Sequence, residues 1–193
     1  MSVAAVVLAA GLSSRFPGHK LVLPFAGKPL VRHAVEAAVA SCAEPVVVVT
    51  GYASEAVVAA LGGLPVRFAK NEDYAKGLGE SLKCGLRSVP ADCEAAIILL
   101  GDMPFVTPGL IDALIAGFDP ALGHAICLPV RGGRRGNPVL WARAFFPEIL
   151  ALDGDDGAKG LVARHGDCVF AVDVADDGAF IDIDTPRDFE RGK

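Results

Sequence analysis

The chain has 193 residues, 52% hydrophobic and 21% charged, with a formal net charge of -5 at pH 7. That length suits one domain with a core of ordinary size, and the composition excludes disorder over most of the chain. The acidic balance speaks against a general nucleic-acid or membrane-surface binder, which needs a basic face, but leaves room for a local cationic pocket.

Residues 3–8 form a continuous apolar run that reads as a strand buried on both faces. The loop that follows, Ala9-Ala10-Gly11-Leu12-Ser13-Ser14-Arg15-Phe16-Pro17-Gly18-His19-Lys20, places Gly and small residues at a strand exit, where backbone N–H groups can converge on an anion. Ser13, Arg15 and Lys20 add hydroxyl and cationic donors, so the inferred ligand is a polyphosphate. Read alone, the loop equally fits a Gly-rich turn with surface charges.

A helix is expected over 29–41, with Pro29 in its first turn, and His33 and Glu36 one turn apart read as a solvated pair. A second buried strand, 46–50, leads through Gly51 to a helix over 54–61 with Ser54 as its N-cap. A shorter strand at 66–69 ends in the polar stretch Lys70-Asn71-Glu72-Asp73-Tyr74, where loop function is expected. Gly77-Leu78-Gly79-Glu80-Ser81-Leu82 opens a helix that ends near Pro90. It fails as a dinucleotide fingerprint because Leu82 stands where the third Gly belongs, yet it leaves a phosphate or ribose contact open at the helix start.

The fourth strand, 95–100, ends in Gly101-Asp102-Met103-Pro104, so a carboxylate sits at the carboxyl end of an apolar strand, where open α/β sheets place their ligands. A helix over 108–118 and a strand over 125–129 precede Arg131-Gly132-Gly133-Arg134-Arg135-Gly136-Asn137-Pro138, the most cationic stretch, which reads as a phosphate contact or as a solvated hairpin tip. A strand at 139–141, a helix at 144–150 bent near Pro147, and a helix at 158–165 follow. The acidic segment 153–157 lacks the ligands of a calcium loop and reads as the lead into that last helix. In Phe180-Ile181-Asp182-Ile183-Asp184-Thr185-Pro186 the alternation puts Asp182 and Asp184 on one face, a pair that with Asp102 would complete a Mg²⁺ site, and Thr185-Pro186 opens a terminal helix.

Repeated strand, small-residue turn and helix units predict a single domain over 1–193, a three-layer α/β/α arrangement around a mostly parallel sheet. Neither the P-loop signature nor the Rossmann fingerprint is present. The five cysteines, Cys42, Cys84, Cys93, Cys127 and Cys168, show no paired spacing, which fits a reducing compartment. The first apolar run is expected to be neither a signal peptide nor a spanning helix, giving a cytoplasmic protein. A polyphosphate loop, separated carboxylates and an Arg-rich loop together point to nucleotidyl transfer.

The ordered set Leu8-Ala9-Ala10-Gly11-x-Ser13-x-Arg15 with Lys20 and Pro24, Asn71 with Gly77 and Ser81, Gly101-Asp102-x-Pro104, Arg135-Gly136-Asn137-Pro138, Gly154-Asp155-x-Gly157-Ala158 and Asp182-Ile183-Asp184-Thr185-Pro186 resembles the MobA-like nucleotidyltransferases. Within that superfamily it is most similar to the molybdenum cofactor cytidylyltransferases, over nearly the whole chain. The resemblance implies a Rossmann-like sheet of the nucleotidyltransferase type and Mg²⁺-dependent transfer of CMP from CTP to molybdenum-bound molybdopterin, with release of pyrophosphate. It implies that Ala9, Ala10 and Gly11 contact the nucleotide through their backbone, that Ser13, Arg15 and Lys20 hold the triphosphate, and that Asn71 and Ser81 sit near base or ribose. Arg15, Lys20 and Asp102 become the catalytic set, Asp102 with Asp182 or Asp184 the metal ligands, and Arg135, Asn137 and Lys159 the acceptor contacts. Two departures stand out: relatives usually carry His at Asn137 and Arg at Lys159. Other activities of the superfamily are guanylyl transfer and sugar-phosphate nucleotidyl transfer, and a non-catalytic molybdopterin carrier serving a molybdenum hydroxylase would use the same fold.

Overall fold

A computed structural model describes residues 1–12, 16, 18–152 and 158–191. The strands in chain order are β1 Val3–Ala9, β2 Pro24–Phe25, β3 Lys28–Pro29, β4 Val46–Thr50, β5 Arg67–Lys70, β6 Ala95–Leu100, β7 Ile126–Arg131, β8 Arg134–Arg135, β9 Val139–Ala142 and β10 Val169–Asp173. The helices are α1 Leu30–Val39, α2 Ser54–Ala60, α3 Leu78–Arg87, α4 Pro108–Gly117, α5 Phe146–Leu150, α6 Lys159–Arg164 and α7 Pro186–Arg191.

The main sheet runs β10-β7-β9-β6-β1-β4-β5, with β8 paired to β7 and β2-β3 forming a separate small hairpin. β1 lies between β4 and β6 and is parallel to both, with Ala9 opposite Thr50 and Leu8 opposite Leu100. Only β9 breaks the parallel run on that path, being antiparallel to β6 and β7. The order of elements along the chain does not reveal this inserted strand.

Period-two alternation sorts the central strand between two cores. Val3, Ala5, Val7 and Ala9 pack with α1, α2 and α4, whereas Ala4, Val6 and Leu8 pack with α3, α5 and α6. These are the two helical layers. On the second face α3 lies so close to the sheet that a Cβ added to Gly85 would run into Val6 Cγ1. That approach sets the height of α3 and of Ser81 one turn earlier.

Three local expectations change. Ala53, at φ 51°, and not Ser54, occupies the N-cap of α2, and the Ser54 hydroxyl instead donates to Thr50 Oγ1 at 2.8 Å. Residues 169–173 form β10, an edge strand absent from the expected elements although Val169-Phe170-Ala171-Val172 is continuously apolar. Residues 181–184 form no strand; Ile183 is buried, Asp182 is exposed, and the Ile183 N–H donates to Asp102 O at 3.0 Å. The expected shared face of Asp182 and Asp184 is therefore replaced by a backbone tether to the loop after β6. Thr185 caps α7 reciprocally: its Oγ1 accepts the Asp188 N–H at 3.3 Å, and Asp188 Oδ2 accepts the Thr185 N–H at 2.8 Å. No helix among the described residues is long and apolar enough to cross a membrane.

Candidate active site

The site lies where β1 and β6 end side by side. Lys20 follows the loop after β1, in a short turn at Lys20–Val22. Although only 8% exposed, its ammonium finds three oxygen partners: Asp102 Oδ2 at 2.8 Å, Asp184 Oδ1 at 2.9 Å and the Ile183 carbonyl at 2.7 Å. Burial by itself would lower the Lys20 pKa. The charges of Asp102 and Asp184 and their hydrogen bonds outweigh it, holding the amine protonated beyond the ordinary lysine range.

This cluster forms one wall of a cavity of about 440 Å³. Ala10, Gly11 and Leu12 form the rim after β1, and Tyr74, Gly77, Leu78 and Ser81 form the rim at the start of α3. The φ of 109° at Gly77, left-handed territory that glycine adopts without strain, turns the chain into that helix. Ser81 is positioned from behind by buried Asn71: Nδ2 of Asn71 donates to Ser81 Oγ at 3.1 Å, and Oδ1 of Asn71 accepts the Asp73 N–H at 3.0 Å. Those two partners fix the amide orientation. With its oxygen accepting from Asn71, the Ser81 hydroxyl has its proton to donate toward the cavity. His19 stands beside this loop with its ring edge-on to Tyr52 at 5.5 Å. Its two buried ring nitrogens have no hydrogen-bond partner among the described residues, and burial lowers its pKa.

Lys20, Asp102, Asp184, Ala10, Gly11 and Ser81 thus converge on one space, with Asn71 supporting it. Ala9 is buried within β1 and does not line the cavity. Asp182 is exposed and likewise absent from its walls. Ser13 and Arg15 lie outside the described residues, as does the 153–157 segment. Arg135, Asn137 and Lys159 do not line the cavity; Arg135 and Lys159 are exposed, and the Asn137 N–H is taken by the Ala179 carbonyl at 2.9 Å. No residue pattern marks the Ile183 carbonyl as a partner of Lys20, because a backbone oxygen carries no residue signature. Tyr74 sat within the polar stretch already marked for loop function, whereas Leu12 and Leu78 had no signal of their own.

The donor set suits a hard cation, because every group meeting at Lys20 Nζ is an oxygen. Among the described residues no three His, Cys, Asp or Glu side chains group together to hold a metal. Two carboxylates completed by water and phosphate oxygens is the usual pattern for Mg²⁺ at a nucleotide, so Asp102 and Asp184 fit that ion.

The model of the MobA-like NTP transferase domain matches residues 5–169. The chain belongs to this family. Across the MobA-like chain, the purine catabolism protein PucB of Bacillus subtilis is 30% identical over 195 residues, 96% of this chain and 93% of PucB. Nicotine blue oxidoreductase of Paenarthrobacter nicotinovorans is 27% identical over 195 residues, covering 98% and 95%. The GlmU protein of Halorhodospira halophila matches at 37% over 117 residues, and the chain spans only about a quarter, 24%, of its length. Among solved structures, a nucleotidyl transferase of Methanothermobacter, Mth528, superposes with a TM-score of 0.86 at 26% identity, covering 98% of this chain and 95% of that one. Rv0371c of Mycobacterium tuberculosis in complex with manganese gives 0.81 at 28% identity, covering 99% and 97%. The chain thus carries an NTP transferase domain of the MobA-like family on the fold it shares with Mth528.

Proposed function

We propose that the chain transfers CMP from CTP to the terminal phosphate of molybdenum-bound molybdopterin, with Mg²⁺, and releases pyrophosphate. The observation that carries the transferase reading is the Lys20 ammonium held between Asp102 and Asp184 on the wall of a nucleotide-sized cavity. The choice of CTP and of a molybdopterin acceptor follows the motif resemblance across residues 8–186. The manganese complex of Rv0371c supports a divalent ion.

In this reading the Ala10–Leu12 rim receives the triphosphate through backbone N–H groups, joined by Ser13 and Arg15 of the same loop. Ser81 donates its hydroxyl proton to an acceptor atom of the base or ribose. The acceptor phosphate oxygen attacks the α-phosphorus in line; that P–O bond forms as the bond to the pyrophosphate oxygen breaks, with no covalent enzyme intermediate. Lys20 neutralises charge on the transferred group and on the leaving pyrophosphate. Asp102 and Asp184 would hold Mg²⁺, which when bound neutralises the triphosphate charge. Asp182 joins as an outer ligand only if the 181–184 segment shifts on binding. Exposed Arg135, with Asn137 and Lys159, would meet the acceptor; the product would pass to a molybdenum hydroxylase in the cytoplasm.

The test is pyrophosphate release with molybdenum-bound molybdopterin and Mg²⁺, comparing CTP, GTP, ATP and UTP. Turnover with CTP alone is expected. Turnover with GTP alone would make it a guanylyltransferase, turnover only with sugar phosphates would replace the acceptor, and tight molybdopterin binding without turnover would leave a carrier.

A further inference from the structure

The Arg-rich hairpin is largely engaged with the chain itself. Arg131 is ion-paired with Asp177. The Arg134 guanidinium lies 5.3 Å from the centre of the Phe180 ring and donates to the Phe180 carbonyl at 3.4 Å. The Asn137 N–H donates to Ala179 O at 2.9 Å. At Gly136 the approach is closest: an added Cβ would sit 2.5 Å from Ala179 O and 2.7 Å from the Phe180 ring. From the other side, a Cβ on Gly178 would sit 2.5 Å from Phe105 O, in the loop that follows Asp102. The turn at Gly178–Phe180 is thus gripped between the hairpin and the β6 loop. Only three residues beyond it come the Ile183 carbonyl and then Asp184, two of the three partners of Lys20 among the described residues.

We propose that Gly136 and Arg134 are positioning residues, which press the Gly178–Phe180 turn inward and so keep Asp184 and the Ile183 carbonyl on the Lys20 ammonium. Of the hairpin arginines, Arg131 contributes least, because its partner and it are both largely exposed. Gly136 contributes most, because any side chain there must push the turn outward by about 1 Å to reach an ordinary contact. Bonds of 2.7 and 2.9 Å do not survive a stretch of that size as hydrogen bonds. The consequence for catalysis rests on the nucleotidyltransferase reading, whereas the mechanical linkage does not.

The experiment reads Lys20 directly, in protein free of metal and nucleotide. Wild type, Gly136→Ala, Asp184→Ala, the Gly136→Ala/Asp184→Ala double variant, Arg134→Ala and Arg134→Lys are pulsed with acetic anhydride, and modification of Lys20 and Lys83 is followed by mass spectrometry. Lys83, equally buried and paired with Glu80 on α3, reports loosening of the fold. Gly136→Ala is expected to raise Lys20 acetylation by at least about tenfold, the equilibrium worth of the first of the two hydrogen bonds lost to this charged group, and to leave Lys83 unchanged. The double variant should label less than the product of the two single effects, since the Asp184 contact is lost in each. A wild-type Lys20 rate in folded Gly136→Ala, or effects that multiply in the double variant, would overturn the proposal. If Lys83 also accelerates in Gly136→Ala, the Arg134 pair decides: acceleration in Arg134→Ala with recovery in Arg134→Lys supports the linkage, and wild-type rates in both refute it. Absence of nucleotidyl transfer with every substrate would overturn the functional reading and leave these rates as they are.

Discussion

Replacing Lys20 by Met removes the charge that Asp102 and Asp184 share while nearly preserving volume. The two carboxylate oxygens lie 2.8 and 2.9 Å from Lys20 Nζ, so they are at most about 5.7 Å apart. At that separation two negative charges repel by about 3 kcal/mol at an effective dielectric of 20 and by about 0.7 kcal/mol in bulk water. Asp184 is 40% exposed, which places the repulsion nearer about 1–2 kcal/mol. The Ile183 carbonyl also loses its partner, bringing the expected cost of Lys20→Met to about 2–4 kcal/mol, or roughly 4–16 °C in Tm for a domain of this size. The assay is urea unfolding of Lys20→Met, Asp184→Asn and the double variant. The double variant should recover about 1 kcal/mol relative to the additive expectation, because no second carboxylate remains to repel. The sign of the pH dependence follows from the raised Lys20 pKa: its stabilisation is present below 10.5, the ordinary lysine value, and is lost as pH rises through the higher folded-state value. The gap between wild type and Lys20→Met should therefore stay level from neutrality to pH 10 and close only above it. A cost below about 0.5 kcal/mol, or strict additivity in the double variant, would refute this account of the cluster.

Asp102→Asn keeps an oxygen for Lys20 but removes a charge from the cavity wall; pyrophosphate release should fall by about 10²–10³ with Tm within a few degrees of wild type, and wild-type turnover would remove Asp102 from the reaction. Ser81→Ala leaves the buried Asn71 amide without its acceptor, so stability should drop by about 1–3 kcal/mol and the nucleotide KM should rise; an unchanged KM would exclude Ser81 from substrate contact. His19, whose pKa burial lowers, stays neutral in the folded protein where the unfolded chain already binds a proton, so stability is full above 6.5 and declines as pH falls from that value toward the folded pKa. His19→Phe should flatten that decline relative to wild type in urea titrations at pH 7.5 and 5.5, and identical pH slopes would contradict it.

The layered fold was legible because its strands declare themselves locally. The runs at 46–50 and 95–100 match β4 and β6 residue for residue, and each is buried on both faces as a continuous apolar run requires. The insertion of β9 between β6 and β7 was not legible, since strand order follows from pairing energies that no local pattern encodes. Asp182 and Asp184 show the same limit at the site. Alternation would place them together only if the backbone were a regular strand, but the tether from Ile183 to Asp102 replaces sheet pairing and leaves Asp182 in solvent. In the Arg-rich loop, composition revealed positive charge without its partners. Arg131 and Arg134 spend theirs on Asp177 and Phe180, residues more than forty positions away in sequence.

In the proposed reaction Lys20 has two distinct tasks that share one geometry. Before substrate arrives, its ammonium separates two carboxylates that would otherwise repel, and the loop after β1 is thereby tied to the loop after β6 and to the chain entering α7. In that reaction the same ammonium turns to phosphate oxygens when a triphosphate enters, and the negative charge it then balances less well on Asp102 and Asp184 favours a divalent cation there. Occupation by nucleotide would in this way raise the affinity for a metal without any moving domain. An enzyme built this way should bind divalent ions weakly alone and much more tightly with nucleotide present, because only then does Lys20 give up its place.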